Sequence, residues 1–382
     1  MKAPSIYETE ELAAIRAETR RFVRKEVVPY GEKWEEEGRV PRRLFRELGE
    51  IGLFGLRVPE SRGGVGLGHL ASATVAEEFG KSTFGGVTAS VAVHGELAMP
   101  YLYRYGSPYL QDQYLPKMMT GELIGALGVT EADAGSDVAA MSTRAIRDGD
   151  EYVINGSKMF ISNGASSDVV VLSAKTDLEV VPHRGISLFM VEKETPGFSV
   201  SRILDKHGWR SSDTAELVFE DCRVPAQNLI GDLHRGFYAI MRNFQNERLV
   251  LASAALGEAR QALEMTVEYV KSRRVFGKVL WAKQALRHKL AELATAVEAG
   301  AQLIYHSAWL LDQGRGAVRE ISMVKAFMSE LVNRVLYSCV QFHGGMGYMR
   351  ESAIERMSRD ARLHPIGGGA TEVMLEEIAK KM

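Results

Sequence analysis

Phe237, Ile240, Phe244, Glu247, Leu251 and Ala254 recur at alternating steps of three and four, the spacing that lines side chains up on one stripe of an α-helix. One of the six is a carboxylate. If that stripe faces a core, Glu247 is desolvated, and burial lifts a carboxyl group toward the range in which it works as a general base. The periodicity also fits an exposed stripe edge, or a structural pairing of Glu247 with Arg248. In KSRRVFGK, Arg273, Arg274 and Lys278 gather positive charge at a helix end, where cations either suit the negative end of the dipole or contact a phosphate. Gly344, Gly345 and Gly347 in QFHGGMGY fit an interhelical turn or a close backbone approach to a ligand. The stretch LGVTEADAGSD, residues 127–137, offers hydroxyl and backbone donors at a strand end. KMFISNG, residues 158–164, sets Phe160 beside Ser162 and Asn163.

Other chemistries find no support. The nine histidines form no HExxH and no His/Cys cluster at ligand spacing, so no metal site is expected. A GxSxG elbow and a Walker lysine loop are also missing. The four glycines of SRGGVGLG, residues 61–68, lack both a preceding strand and the GxGxxG spacing, and read as a turn.

The elements that must position these residues fall into three blocks. Leu12, Ile15, Phe22 and Val23 open a helical pattern that runs from Thr9 to about Gly121. Short β-branched and aromatic runs such as TRAI, EYVI, MFIS, DVVVLSA and GISLFMVE follow, punctuated by Asp148-Gly149-Asp150, Asn155-Gly156 and Pro196-Gly197 as turns. Helical periodicity returns after Gly231. Helices, then strands, then helices predict an α+β fold rather than a doubly wound parallel sheet, with an N-terminal helical domain (1–122), a middle antiparallel β barrel or sandwich (123–232) and a C-terminal helical domain (233–382). The 47 basic and 49 acidic residues give a net charge of −2, which does not favour a nucleic-acid partner. Cys222 and Cys339 form no CxxC pair, and there is no apolar run of membrane length, so a reduced, cytoplasmic protein with no membrane association is expected.

Together GVTEADAGSD, KMFISNG, DTAELVFEDCRVP, RRVFGK, QFHGGMGY and DARLHPIGGGATE resemble the acyl-CoA dehydrogenase family, in the same order and over the whole chain. The resemblance implies FAD held between the middle and C-terminal domains and a neighbouring subunit, usually in a homotetramer. It implies that Leu127, Val129, Thr130, Gly135 and Ser136 surround the flavin and the thioester. Phe160 would pack on the ring system, and Ser162 would stand where a Thr usually hydrogen-bonds flavin N5. Arg273, Phe276 and Gln284 would reach FAD across the subunit interface, Gln341, Gly344 and Gly345 would pass its pyrophosphate or adenosine half, and Thr371 and Glu372 would touch it from the last loop. Ser136, Phe244, Arg248 and Gly368 would lie along the acyl-CoA.

Many members carry the base in a YEGT-like loop, and this chain has Gly367, Gly368, Gly369 and Ala370 there. The isovaleryl and long-chain subgroups place it on the earlier helix in an ERL context, which NERLVLA reproduces at Glu247. The resemblance is thus to the long-chain, isovaleryl and citronellyl-type members. It implies α,β-dehydrogenation of a medium-chain, long-chain or branched acyl-CoA to the trans-2-enoyl-CoA, with electrons passed to an electron-transferring flavoprotein. Glycine at 367 and 368 is expected to free volume beside the thioester. Competing readings are an acyl-CoA oxidase or flavin monooxygenase of the same superfamily, or a non-catalytic CoA-binding helical scaffold. The chain departs from the family pattern at Ala132, Ser162 and Ala370.

Overall fold

The computed structural model describes residues 6–382. Helices α1 (Glu10–Phe22), α2 (Gly31–Glu37), α3 (Arg42–Glu50), α4 (His69–Gly80), α5 (Gly85–Ala92), α6 (Met99–Tyr105) and α7 (Pro108–Met119) precede the strands. Strands β1 (Gly125–Gly128), β2 (Arg144–Asp148), β3 (Glu151–Ser162), β4 (Val169–Lys175), β5 (Ile186–Glu192), β6 (Phe198–Ile203), β7 (Thr214–Pro225) and β8 (Leu229–Ile230) form one sheet. Helices α8 (Gly236–Ser272), α9 (Gln284–Asp312), α10 (Val318–His343), α11 (Ala353–Ala361) and α12 (Thr371–Ala379) complete the chain, with a small ribbon of β9 (Arg274–Val275) and β10 (Lys278–Val279) between α8 and α9. Among the described residues no helix is long and apolar enough to cross a membrane.

The sheet runs β6-β7-β3-β2-β4-β5-β8, with β1 beside β4. Two details correct the expectation of a wholly antiparallel middle domain. Strands β1 and β4 pair in parallel, and so do β2 and β4 at Arg144 and Lys175; the β2–β3 hairpin lies between β1 and β4 in sequence, and parallel strands need such a long crossover. The Asn155-Gly156 pair is not a turn either. It lies inside β3, where Gly156 (φ +145) sits at a register shift against β7. A Cβ there would stand 2.6 Å from Thr143 Oγ1, so this glycine serves a bulge and a close approach. The β2–β3 reversal is made by Gly149 (φ +62), beside the Asp148–Glu151 pair.

Alternation along the central strands joins the layers. Val169 and Val171 of β4 and Leu188 and Met190 of β5 enter the core shared with the N-terminal helices, while Val170, Leu172, Phe189 and Val191 point into the β domain's own core. Residues i and i+2 share a face, so these strands are apolar throughout because both faces are covered.

Helix α8 is 37 residues long and is clamped against α4. A Cβ on Gly257 would overlap the Glu77 carbonyl, and one on Gly80 the Ala254 carbonyl. At the same crossing Glu77 accepts from Arg260 (2.6 Å), Arg16 (3.1 Å) and the Tyr305 hydroxyl (2.6 Å), tying α8, α1 and α9 to α4. Burial opposes the charge on Glu77, but Lys81, Arg260 and Arg16 outweigh it and hold the carboxyl near 2. Gly257→Ala is expected to destabilise by about 1–3 kcal/mol, since the obstructing atoms are backbone and cannot rotate away; a thermal-unfolding midpoint equal to wild type would contradict this packing.

Candidate active site

Glu247 lies midway along the stripe on α8. Ile240 and Ala254 are buried, and Phe237, Phe244, Glu247 and Leu251 are half-buried. Glu247 Oε2 is out of reach of solvent and has no hydrogen-bond partner. Burial pushes the carboxyl up to about 7, with Arg248 and Lys325 pulling the other way. Arg248 is buried as well. Its Nε has no partner, and its guanidinium stands 6.0 Å from the centre of the Phe244 ring. Native structures rarely leave buried polar atoms unpaired, and a buried carboxyl with a raised pKa beside a specific charge makes Glu247 a candidate functional group.

The glycine turn covers this pair. Gly368 (φ +64) and Gly369 (φ +100) adopt backbone that side chains disfavour. A Cβ on Gly368 would lie 3.4 Å from Glu247 Oε1, and one on Gly369 3.5 Å from Arg248 Nε. The freed volume expected here is absent at 368, because Leu251 Cδ1 already fills the place of a side chain. At 367 a Cβ would fit in ordinary contact with Leu363, 3.7 Å away. Behind α8 a cavity of about 40 Å³ is lined by Phe54, Val91, Gly95 and Val250. Its walls also include the ion pair of Arg57 and Glu96 (2.8 Å).

The residues expected at the flavin lie on β1, the loop after it, and β3. Lys158, fully buried on β3, donates to Glu131 (2.8 Å) and to the Val129 carbonyl (3.2 Å). Met159 N donates to the Thr130 carbonyl (2.9 Å). Glu131 further accepts from the amides and hydroxyls of Ser142 and Thr143 at 2.6–3.0 Å. Burial would raise its carboxyl, but Lys158 and these donors hold it near 2, while burial lowers Lys158 to about 8. The loop that follows β1 is thereby bolted to β3. Between Lys158 and Ile161 the register against β7 shifts again, and Phe160 takes φ +62 with 63% of its surface exposed. A bulky residue in left-handed backbone is strained, and such strain concentrates at ligand sites. Asn163 (φ +59) anchors the strand end by donating to the Ser90 carbonyl of α5 (2.9 Å).

The expected site residues divide into two groups. Leu127, Thr130 and Ser162 are half-buried, and Gly135, Ser136 and Phe160 are exposed; Val129 is buried with its side chain in the helical core, so only its backbone borders the loop. These residues belong to the β domain, and Phe244, Glu247, Arg248 and Gly368 to α8 and the glycine turn beside it. Arg273, Phe276 (92% exposed, φ +50) and Gln284 lie elsewhere, on the surface beyond the C-terminal end of α8. Tyr269 donates to the His343 carbonyl (3.2 Å) and brings the exposed Gln341, Gly344 and Gly345 to that same end. At 1.5 Å rise per residue, α8 holds Arg273 roughly 39 Å from Glu247, so one chain does not unite the two groups. A Cβ on Gly345 would meet nothing within 4 Å; packing inside this chain does not demand glycine there. Thr371 donates its hydroxyl to Glu330 (3.0 Å), and Glu372 is exposed.

Three neighbours of the candidate site escaped sequence reasoning: Glu131, Lys158 and Lys325. Lys158 carried a usable signal, a lysine in phase with the inward-facing Tyr152 and Ile154 of an alternating strand. For Lys158 to stay paired, Glu131 must stay ionised. Glu131→Gln is expected to cost roughly 3–5 kcal/mol by leaving Lys158 buried and unpaired, seen as a lowered unfolding midpoint. Because the folded carboxyl titrates below its unfolded value, the stability it contributes is complete above about pH 5 and fades as pH falls toward 2.

Family models described as the acyl-CoA dehydrogenase N-terminal, middle and C-terminal domains match residues 9–122, 126–222 and 234–382. The chain is 41% identical over 368 residues to the mitochondrial long-chain specific acyl-CoA dehydrogenase of Rattus norvegicus, covering 96% of this chain and 85% of that protein. It is 38% identical to the mitochondrial isovaleryl-CoA dehydrogenase of Pongo abelii over 96% of this chain and 87% of the relative. A solved glutaryl-CoA dehydrogenase from Mycobacterium smegmatis in complex with FADH2 superposes with a TM-score of 0.93 at 32% identity, covering 99% of this chain and 95% of that one. A helical, β and helical order, matched in all three parts and supported by close relatives over nearly the full length, makes this chain a member of the acyl-CoA dehydrogenase family.

Proposed function

We propose that the chain catalyses FAD-dependent α,β-dehydrogenation of a medium-chain, long-chain or branched acyl-CoA, with Glu247 as the base. The observation that carries this reading is a carboxylate with a buried, partnerless oxygen, facing a glycine turn that holds no carboxylate of its own. A base is most effective when it titrates near the working pH, and burial places Glu247 at about 7. In its ionised form it removes the proton on the carbon next to the thioester carbonyl. The Gly368 amide is proposed to donate to that carbonyl and stabilise the negative charge that develops there. Arg248 acts as a fixed cation beside the CoA moiety, and Phe244 as an apolar surface for it.

The residues present fit a flavin. Phe160 is an exposed aromatic face in strained backbone, next to the Met159 amide that holds the Thr130 carbonyl, and the hydroxyl-bearing Thr130, Ser136 and Ser162 are proposed to line the flavin with it. Flavin, when bound, supplies the hydride acceptor and a colour that reports its own reduction. Arg273, Phe276, Gln284, Gln341, Gly344 and Gly345 are proposed to hold the FAD of a second subunit, because α8 keeps them far from the Glu247 of their own chain. That arrangement makes the working unit an oligomer, proposed as a homotetramer. Electrons then leave for an electron-transferring flavoprotein.

Anaerobic titration with acyl-CoAs of graded length, followed by flavin absorbance, tests these roles together. Wild type is expected to bleach, with the rate rising through about pH 7 as Glu247 ionises. Glu247→Gln is expected to bleach roughly 100- to 10,000-fold more slowly while retaining flavin. A chain-length profile peaking at butyryl-CoA would overturn the substrate preference. Stoichiometric hydrogen peroxide in air would identify an oxidase, and a colourless protein a scaffold.

A further inference from the structure

Lys325 on α10 is fully buried, on a face shared with Ile321, Val324, Met328 and Val332. An ammonium group so placed is costly unless it is engaged. Its hydrogen bond runs to the carbonyl of Gly369. Among the described residues it makes no direct ion pair with the carboxylates that surround it, Glu247 on α8, Glu330 on α10 and Glu372 on α12; Glu330 is occupied by the Thr371 hydroxyl. The turn it grips is half-buried, with Leu251 and Glu247 beside Gly368 and Met374 and Arg248 beside Gly369. Both glycines have positive φ, so the turn has no side chains of its own with which to hold its place.

We infer that Lys325 is a positioning residue of the dehydrogenation: its hydrogen bond to Gly369 seats the glycine turn over the thioester position, and its charge supports the ionised form of Glu247. This rests on the reading of Glu247 as the base. The groups acting on this pair from neighbouring elements are Arg248 on α8, Tyr101 on α6, Glu330 on α10, and Glu372 and Glu377 on α12. Arg248 adds to the effect of Lys325 on Glu247, and the α12 carboxylates favour the charged forms of the cations, Glu377 that of Arg248 and Glu372 that of Lys325. A loop that supplies a backbone donor in place of a side-chain base needs an external anchor. Lys325 provides it from 44 residues upstream.

The test is the pH profile of the anaerobic flavin-bleaching rate in the holoenzyme, with flavin content and circular dichroism confirming the fold. Removing a nearby cation disfavours the carboxylate, so Lys325→Met is expected to move the acid limb up by about one pH unit. Its high-pH plateau is expected to stay below wild type, because the turn has lost its anchor. Lys325→Gln, which keeps a hydrogen-bond donor without charge, is expected to show the same limb shift and a higher plateau than Lys325→Met. A role confined to stability would lower flavin content or the unfolding midpoint and leave the limb where it was, which overturns the inference. If Lys325→Met does not accumulate as folded protein, the limb position in Lys325→Gln decides alone. An active Glu247→Gln would instead sink the assignment of the base, whatever Lys325 does.

Discussion

A carboxylate with one oxygen out of solvent and without a partner sets the terms for the whole molecule. Ionising it in that position costs free energy, and burial set against two nearby cations holds Glu247 near the balance point at about 7, where the proposed base would work. Arg248 and Lys325 supply enough positive charge to keep ionisation within reach, and neither touches the carboxylate as a direct ion pair. A contact pair would have held the carboxyl low and spent its basicity.

Such a balance needs rigid surroundings. Helix α8 carries Glu247 and is immobilised where glycines let it meet α4 backbone to backbone, and where Glu77 collects Arg260, Arg16 and Tyr305. In the β domain Glu131 and Lys158 transfer the order of β3 to the loop after β1. Strain at Phe160 persists because that framework over-determines it. The length of α8 also has a consequence for assembly. It separates the Glu247 region from the Arg273 and Gly344 region by roughly 39 Å, and on that separation rests the proposal that the two regions serve the flavins of different subunits.

Much of the fold was legible because it depends on local periodicity. The three blocks and the turn at Gly149 follow from patterns that a few residues carry. Asn155-Gly156 misled because the same dipeptide that makes a hairpin also makes a bulge, and only the approach of Thr143 distinguishes the two. The parallel β1–β4 pair was hidden because strand order depends on contacts between segments far apart in sequence. At the site, Glu247 stood out as the lone carboxylate of an apolar stripe, while Glu131 and Lys325 looked like ordinary charges of a loop and a helix.

The sequence by itself determined that a carboxylate would stand on the stripe of α8, that none would stand at 367–370, and that the chain would alternate helical, β and helical blocks, since these are properties of residue type and spacing. Only the tertiary structure decided that Glu247 is desolvated, that Leu251 fills the place left by glycine at 368, and that Lys325 reaches the turn from α10. The physical reason is that the electrostatic environment of a group is made by whatever atoms surround it, and here they arrive from α6, α8, α10, the glycine turn and α12, elements whose mutual approach no local pattern encodes.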